Sequence, residues 1–509
     1  MTNQLEKSIW KGIWQPVLAM ACLIAIAGIV VACSSGSSGT TTSGMAQVNV
    51  MLSDPATCAA PDGPYSHVWV TITDVQANTN ASAGPTDSNW VDLTPALSKT
   101  PMQVDLLAQA NNQCFLATLG DNMQLQAGSY QQIRIMLADN STGLTTNACG
   151  TSANCVMLTS DPANTPHALN LSSEAQTGLK IPSGQISSGA FTISAGQTKD
   201  LDIDFNTCES IVQEGNGQYR LKPVLHAGEV STTSVSMNGK VMTAGANAVP
   251  VAGAVVSLEQ PDATGVDRVL VSTVTAPDGT WVICPVMQGN TSKPYDVVIT
   301  GATSTGILYA PSIVTGVNIG STVGTVTLNM PAGTNITAAT STAVISGQVT
   351  SVNTSNAGTA IDAALTVLDT FTNGTYTIPL PMTATQSAAT AVTVTTAAQA
   401  SQSPACNPGG AYCADYGPMT TGFGTAQSSG PLQVPAAGAY IGAWSSAGAT
   451  LTQPNVLPAY VVDGIATVPN SATTSDCANN GEEKATILFN VNAPTLSVTN
   501  ANLAFTGCQ

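Results

Sequence analysis

The sequence predicts an all-β protein, a series of antiparallel β-sandwich domains. Many short runs alternate apolar with polar residues, which is the period of a half-buried strand. Gly, Pro and Asn split these runs at close intervals, and the chain of 509 residues holds 45 Gly and 29 Pro. No long stretch carries the helical period with an exposed charged face. Only 8% of the residues are charged, against about 25% in ordinary soluble proteins. The length suggests roughly three domains, each able to bury its own core.

The first 32 residues read as an export signal. Lys7 and Lys11 form a short basic head, and an uncharged apolar run from Val17 to Ala32 follows. The tetrapeptide Val30-Val31-Ala32-Cys33 resembles the lipobox of bacterial lipoproteins. That resemblance implies lipidation of Cys33 and a lipid anchor in the membrane. Ser34 in the next position implies the outer membrane of a Gram-negative cell. The rival is an uncleaved anchor helix. Residues 33–45 then form a Gly/Ser/Thr tether.

The region 46–230 opens with the alternating run Gln47 to Leu52, which ends at Ser53-Asp54-Pro55. His67 to Val75 follows, with Val68, Val70 and Ile72 on one face. Trp90 to Leu93 and Met102 to Leu107 read as further strands. Gln132 to Leu137 turns Ile133, Ile135 and Leu137 inward, and Asp200 to Phe205 does so with Leu201, Ile203 and Phe205. In that last strand the alternation assigns Asp202 and Asp204 to the solvated face. Gly217 to Leu225 closes the region. The leading strand, VWVTITDV, VDLL, AGSYQQIRIML, LDIDF and GQYRLKPVL together resemble the family called domain of unknown function 4382. The resemblance implies a sandwich fold and an exported, often lipid-anchored bacterial protein. It implies no activity.

In the region 234–331, Gly239-Lys240-Val241, Pro250 to Leu258 and Val269 to Thr275 read as strands. The turn Ala276-Pro277-Asp278-Gly279 leads into Thr280 to Ile283, and Tyr295 to Ile299 follows. GKV, PVAGAVVSL, STVTAPDGTW and YDVVI resemble the carboxypeptidase regulatory-like module, a small prealbumin-like sandwich grouped with carbohydrate-binding-like folds. The series as a whole reads as Ig-like or prealbumin-like sandwiches. The region 340–509 opens in a similar way, with Ile361 to Val367 and Asn373 to Tyr376. It then runs into the Ala/Thr/Gln-rich stretch from Ala388 to Ser403, a linker or weak strand. Further strands fall at Pro435 to Trp444, Ala459 to Val468 and Thr486 to Val491. No family resemblance extends over this region.

Twelve cysteines fit an oxidising compartment. Cys22 leaves with the signal and Cys33 takes lipid, so ten remain. Cys149 with Cys155 and Cys406 with Cys413 would each close a short Gly/Asn/Ala-rich loop. Cys58 with Cys114, and Cys477 with Cys508, are the further pairings. Cys208 and Cys284 have no local mate. No Cys-x-x-Cys spacing occurs and there are only three histidines, so neither metal nor cofactor is expected.

No nucleophile elbow, zinc-helix, phosphate-loop or dinucleotide motif is present. A triad base would have to be His67, His167 or His226, and each reads better as structural. Asp54 and Asp74 read as strand-end turn formers that bond their own backbone. Among Trp69, Trp90, Trp281 and Trp444, the residues Trp90 and Trp281 are the candidates for stacking on a sugar ring. The formal charge of −17 argues against nucleic acid as a partner. A polysaccharide or another envelope protein remains. The reading is a non-enzymatic, lipid-anchored envelope protein acting as surface scaffold, adhesin or polysaccharide binder. The alternative is an extracellular hydrolase or inhibitor whose loop-built site has no sequence signature.

Overall fold

The computed structural model describes residues 44–54, 64–108, 114–171, 178–213, 217–221, 224–231, 236–290, 292–301, 309–318, 324–328, 342–371, 374–378, 391–394, 406, 409–416, 432–435, 439–445, 448–452, 459–468, 477–478, 481–488, 497–498 and 501–508. Residues 1–43, with Cys33 and nearly all of the expected signal and tether, and Cys58 lie outside the described residues, as does most of the Ala388–Ser403 stretch.

The described residues from Met45 onward fold as all-β sandwiches. In the first, a four-stranded sheet runs in the order Leu225–Glu229, Thr198–Phe205, Met45–Ser53, Ala117–Gln126. It shares one core with a larger sheet built on the fourteen-residue strand Tyr65–Asn78. Val48, Val50 and Leu52 from one sheet meet Val68, Val70 and Ile72 from the other, all fully buried. Each such side chain contributes about 1.5–3 kcal/mol by leaving water.

Most strand pairs are antiparallel, yet all three regions also contain parallel pairs. Met45–Ser53 runs parallel to Thr198–Phe205, Met237–Thr243 to Gly324–Leu328, and Gly347–Ser351 to Leu503–Phe505. Side chains alternate with the same period in both kinds of ladder, so alternation does not distinguish them.

The second core gathers Met237, Val241, Val256, Leu258, Trp281, Ile283, Val297 and Ile299. The turn into Thr280–Ile283 closes as the sequence suggests, with Gly279 at φ +80° donating its N–H to the Ala276 carbonyl. The second and third regions then share one sheet. Val266–Val274 pairs in parallel with Gly374–Ile378, and at the opposite edge Ser312–Val317 pairs in parallel with Tyr440–Ala443. Trp444 and Leu451, which follow that last strand, pack on the second core. Residues 391–394 of the Ala/Thr-rich stretch form a strand on Ile361–Phe371.

Four disulfides are described. Cys149 bonds Cys155, Cys406 bonds Cys413, and Cys477 bonds Cys508. Cys114 bonds Cys284, with Cα atoms 5.3 Å apart, and not Cys58. Its partner lies 170 residues along the chain, in the second sandwich, where sequence proximity gives no hint of it. Hydrogen bonds continue the same junction: Ser231 N–H donates to the Val286 carbonyl and Gln288 N–H to that of Glu229.

Replacing Cys114 and Cys284 together by Ser should lower the unfolding free energy by about 5 kcal/mol, because the bond closes so long a loop in the unfolded chain. Urea denaturation of the oxidised protein measures the loss. A peptide map of the wild type should recover the two cysteines in one covalent pair.

Candidate functional site

Among the described residues, a gathering of ionisable groups with shifted pKa values lies where the second and third regions meet. Strand Val255–Pro261 supplies Glu259, strand Val266–Val274 supplies Asp267, and strand Tyr295–Thr300 supplies Asp296. Glu259 is opposite Asp296 in the ladder and diagonal to Asp267. All three point away from the second core, toward the face where Val298 and Ile313 join the core of the third region. Glu259 is wholly buried, and Asp267 is 4% exposed.

Glu259 accepts hydrogen bonds from Ser257 Oγ at 2.7 Å and from Thr377 N at 3.1 Å. Asp296 accepts one from Gly316 N at 2.9 Å. Among the described residues Asp267 Oδ1 has no partner. Burial dominates the electrostatics. It raises Glu259 well above the ordinary carboxylate range, with Asp267 adding to the effect. It raises Asp267 to about 7, assisted by Asp296, and Asp296 itself to about 6.

The opposite face of the same seam is ionic. Arg268 donates to Asp262 at 3.2 Å, to Glu482 at 2.7 Å and to the buried Asp463. Its guanidinium is held charged against burial by Asp463 and Glu482. Two of these partners belong to the third region, so this hub fastens it to the second from the other side.

The sequence-predicted candidates are placed as follows. Trp281 is 2% exposed and sits in the second core, so it does not stack on a ligand. The Trp90 ring is covered by the Arg134 guanidinium, 4.0 Å from its centroid, and its Nε1 donates to the Gly84 carbonyl. Arg134 also holds Gln76 and the Pro85 carbonyl, so Trp90 serves to fix the loop before it. Trp69 is stacked with His67 and packs on the Cys149–Cys155 cluster.

Asp202 and Asp204 are fully buried, not solvated. Asp202 lies opposite Gly228, and a Cβ at Gly228 would come within 2.7 Å of Ser187 Cβ and 3.3 Å of Met287 Sδ. The turn at Ser187 and the second sandwich thus cover the face that alternation leaves to water. Asp202 accepts from Ser53 Oγ at 2.8 Å, and burial raises it to about 7. His226 is neutral, its pKa pushed by burial down to about 4, and its Nδ1 stands 3.9 Å from Asp204, beyond hydrogen-bond reach. Asp54 is buried against Thr207, and Asp74 accepts from Gln76 and Thr94 side chains, so neither forms the expected local turn.

His67 pairs through Nδ1 with Asp105 Oδ2 at 2.7 Å. That is a base with its orienting carboxylate, but no hydroxyl partners its other nitrogen among the described residues. His167 tilts against the Tyr219 ring. Among the described residues no set of three His, Cys, Asp or Glu side chains has metal-holding geometry.

Residues 45–223 match the family model described as a domain of unknown function (DUF4382). The DUF4382 region therefore comprises nearly the whole first sandwich. No curated protein matches the chain. Among solved structures, it aligns with the Bacillus anthracis TIE protein at 9% identity and TM-score 0.14, covering 91% of this chain and 51% of that one. The chain thus spans about half that protein's length. It aligns with GBS52, the minor pilin of Streptococcus agalactiae, at 13% identity and TM-score 0.15, covering 57% of this chain and 98% of that one. A streptococcal ancillary pilin gives 8% identity and TM-score 0.15 over 90% of this chain and 99% of that one.

Replacing Arg268 by Met should cost about 3–5 kcal/mol, since it strands the Asp463 carboxylate in the interior. Adding Asp463→Asn should restore part of that loss. Urea denaturation of the two variants checks both.

Proposed function

We propose that the chain is a non-enzymatic protein of the bacterial cell envelope, exported, lipid-anchored through Cys33 to the outer membrane, and acting as a rigid surface scaffold. One observation carries this reading. The three sandwich regions are locked to one another, the first to the second by Cys114–Cys284 and the second to the third by a shared sheet. Such locking suits a body that must hold a fixed geometry outside the cell. The disulfides belong to an oxidising compartment, which agrees with export. Residues 234–331 fit this role as a carboxypeptidase regulatory-like spacer module.

Two details favour scaffolding over polysaccharide binding or hydrolysis. Both tryptophans suited to sugar stacking are engaged within the protein. The carboxyl groups with the largest shifts lie on buried strands, not around an open cleft.

Two measurements test the proposal. In detergent phase separation the full chain should enter the detergent phase and the Cys33→Ser chain the aqueous phase; equal partition would remove the anchor. Melting temperatures should be unmoved by peptidoglycan fragments and by chitin- or cellulose-type oligosaccharides. A ligand at 100 times its dissociation constant adds about 2.7 kcal/mol, so a glycan-specific rise would replace the scaffold reading by a binding one.

A further inference from the structure

The acidic groups of the seam lie in a row that crosses from one region into the other. Asp267 is paired with Tyr376, Tyr376 with Asp369, and Asp369 with Tyr460, across four adjacent strands. Glu259 and Asp296 extend the row on the side of the second region. The two regions meet in that row through a parallel ladder of two residue pairs, Val266 with Thr375 and Asp267 with Tyr376. A third contact ties Thr377 N–H to Glu259, and a fourth ties Thr377 Oγ to the Asp267 carbonyl at 2.7 Å. The strand that closes the seam is therefore held by the Glu259 carboxyl itself and by the backbone of Asp267, where the three carboxyl groups gather.

No arginine or lysine side chain is seen bonded to these three carboxyl groups among the described residues. Lys293 contributes attraction to Asp267, but its Nζ donates to the Pro261 carbonyl at 3.3 Å. Arg268 is occupied on the opposite face. With all three carboxyls ionised, negative charges would be confined at short range in a water-poor interior.

We propose that this seam is a proton-operated clasp: Gly374–Ile378 docks on Val266–Val274 while Glu259, Asp267 and Asp296 carry protons, and ionisation of the three loosens it. The clasp limits the locking of the second region to the third, on which the scaffold reading draws, to the protonated seam, while the Cys114–Cys284 bond and the Arg268 hub hold across this pH range. All three groups are raised in the folded state, by burial first and by one another second, except that Asp296 is raised by burial alone. Their stabilising contribution is complete below the ordinary carboxylate range and is lost as pH rises toward about 7, where Asp267 titrates.

The other groups on the packed elements set the balance. On the acid face, burial raises the tyrosines Tyr376 and Tyr460, and neighbouring carboxylates raise them further. Across the sheet, burial raises Asp463 against the pull of Arg268. Burial also acts on Glu482 and Asp262. Lys484 and Arg268 nevertheless hold Glu482 low, while Thr264, the Val266 N–H and Arg268 hold Asp262 low. Those last two favour the fold as pH rises through the acid range, so the ionic face keeps the regions tethered while the acid face opens.

Amide hydrogen exchange on the whole oxidised chain tests the clasp. Between pH 5 and pH 8.5, corrected for intrinsic chemical rates, protection at Thr375 and Thr377 should fall by about tenfold or more, a one-unit pKa difference being a factor of ten. Protection in Cys155–Leu158, in the first sandwich and with no raised carboxyl on its ladder partners, should stay level. In the Asp267→Asn and Glu259→Gln variants the seam should keep its protection at pH 8.5. Level seam protection in the wild type overturns the proposal, and so does an equal fall in Cys155–Leu158 or an undiminished fall in both variants. Should a variant fail to fold, the wild-type comparison of seam with remote strand decides alone.

Discussion

Burial of both faces of the sheet formed by Val255–Pro261 and Tyr295–Thr300 is the constraint on which the rest of the structure depends. One face, with Val256, Leu258, Val297 and Ile299, closes the second core over Trp281. On the other face, Val298 and Ile313 belong to the core that holds Val367, Tyr376 and Tyr460. A sandwich normally keeps one face of each sheet in water. Here the third region takes water's place, and its core includes Val298 and Ile313 of the second. The edge strand Ser312–Val317 is likewise covered, by Tyr440–Ala443, which removes a row of unpaired backbone groups.

The first sandwich was largely legible because its apolar positions alternate cleanly. Val68, Val70, Ile72, Ile133, Ile135, Leu201 and Ile203 are all buried where the period places them. Period two separates the faces of a strand but does not state what lies over either of them. Asp202 and Asp204 show this: their neighbours are apolar and point inward, and they too are buried, because Ser187 and Met287 cover their side. A sequence signal for double burial existed further on. Val255-Val256-Ser257-Leu258 and Val297-Val298-Ile299 are almost continuously apolar, the mark of a strand covered on both faces.

Long-range pairings were not legible, for the same physical reason in each case. Cys114 and Cys284 are brought together by the packing of two sandwiches, and nothing local to either residue specifies the other. Arg268 and Asp463 are 195 residues apart, and the acidic row needs strands from both regions before it exists at all. The tryptophans failed differently. Trp90 and Trp281 look alike in sequence, each flanked by a turn, but one is held under Arg134 and the other fills a core. A side chain with a large apolar body is settled by whichever surface reaches it first, and that surface is set by the fold.

The two junctions of the chain differ in kind. The first is covalent and lined by backbone hydrogen bonds, Ser231 to Val286 and Gln288 to Glu229, none of which titrates. The second is non-covalent and concentrates ionisable side chains on both faces of one sheet. Apolar residues at Glu259, Asp267 and Asp296 would avoid the desolvation that each carboxyl bears and would suit a permanent seam better. Hydrogen bonds to Ser257, Thr377 and Gly316 offset part of that cost for Glu259 and Asp296, while Asp267 Oδ1 has no such offset. The first junction joins two sandwiches through a covalent bond that does not titrate. The second makes the docking of the third region depend on how many protons the seam retains.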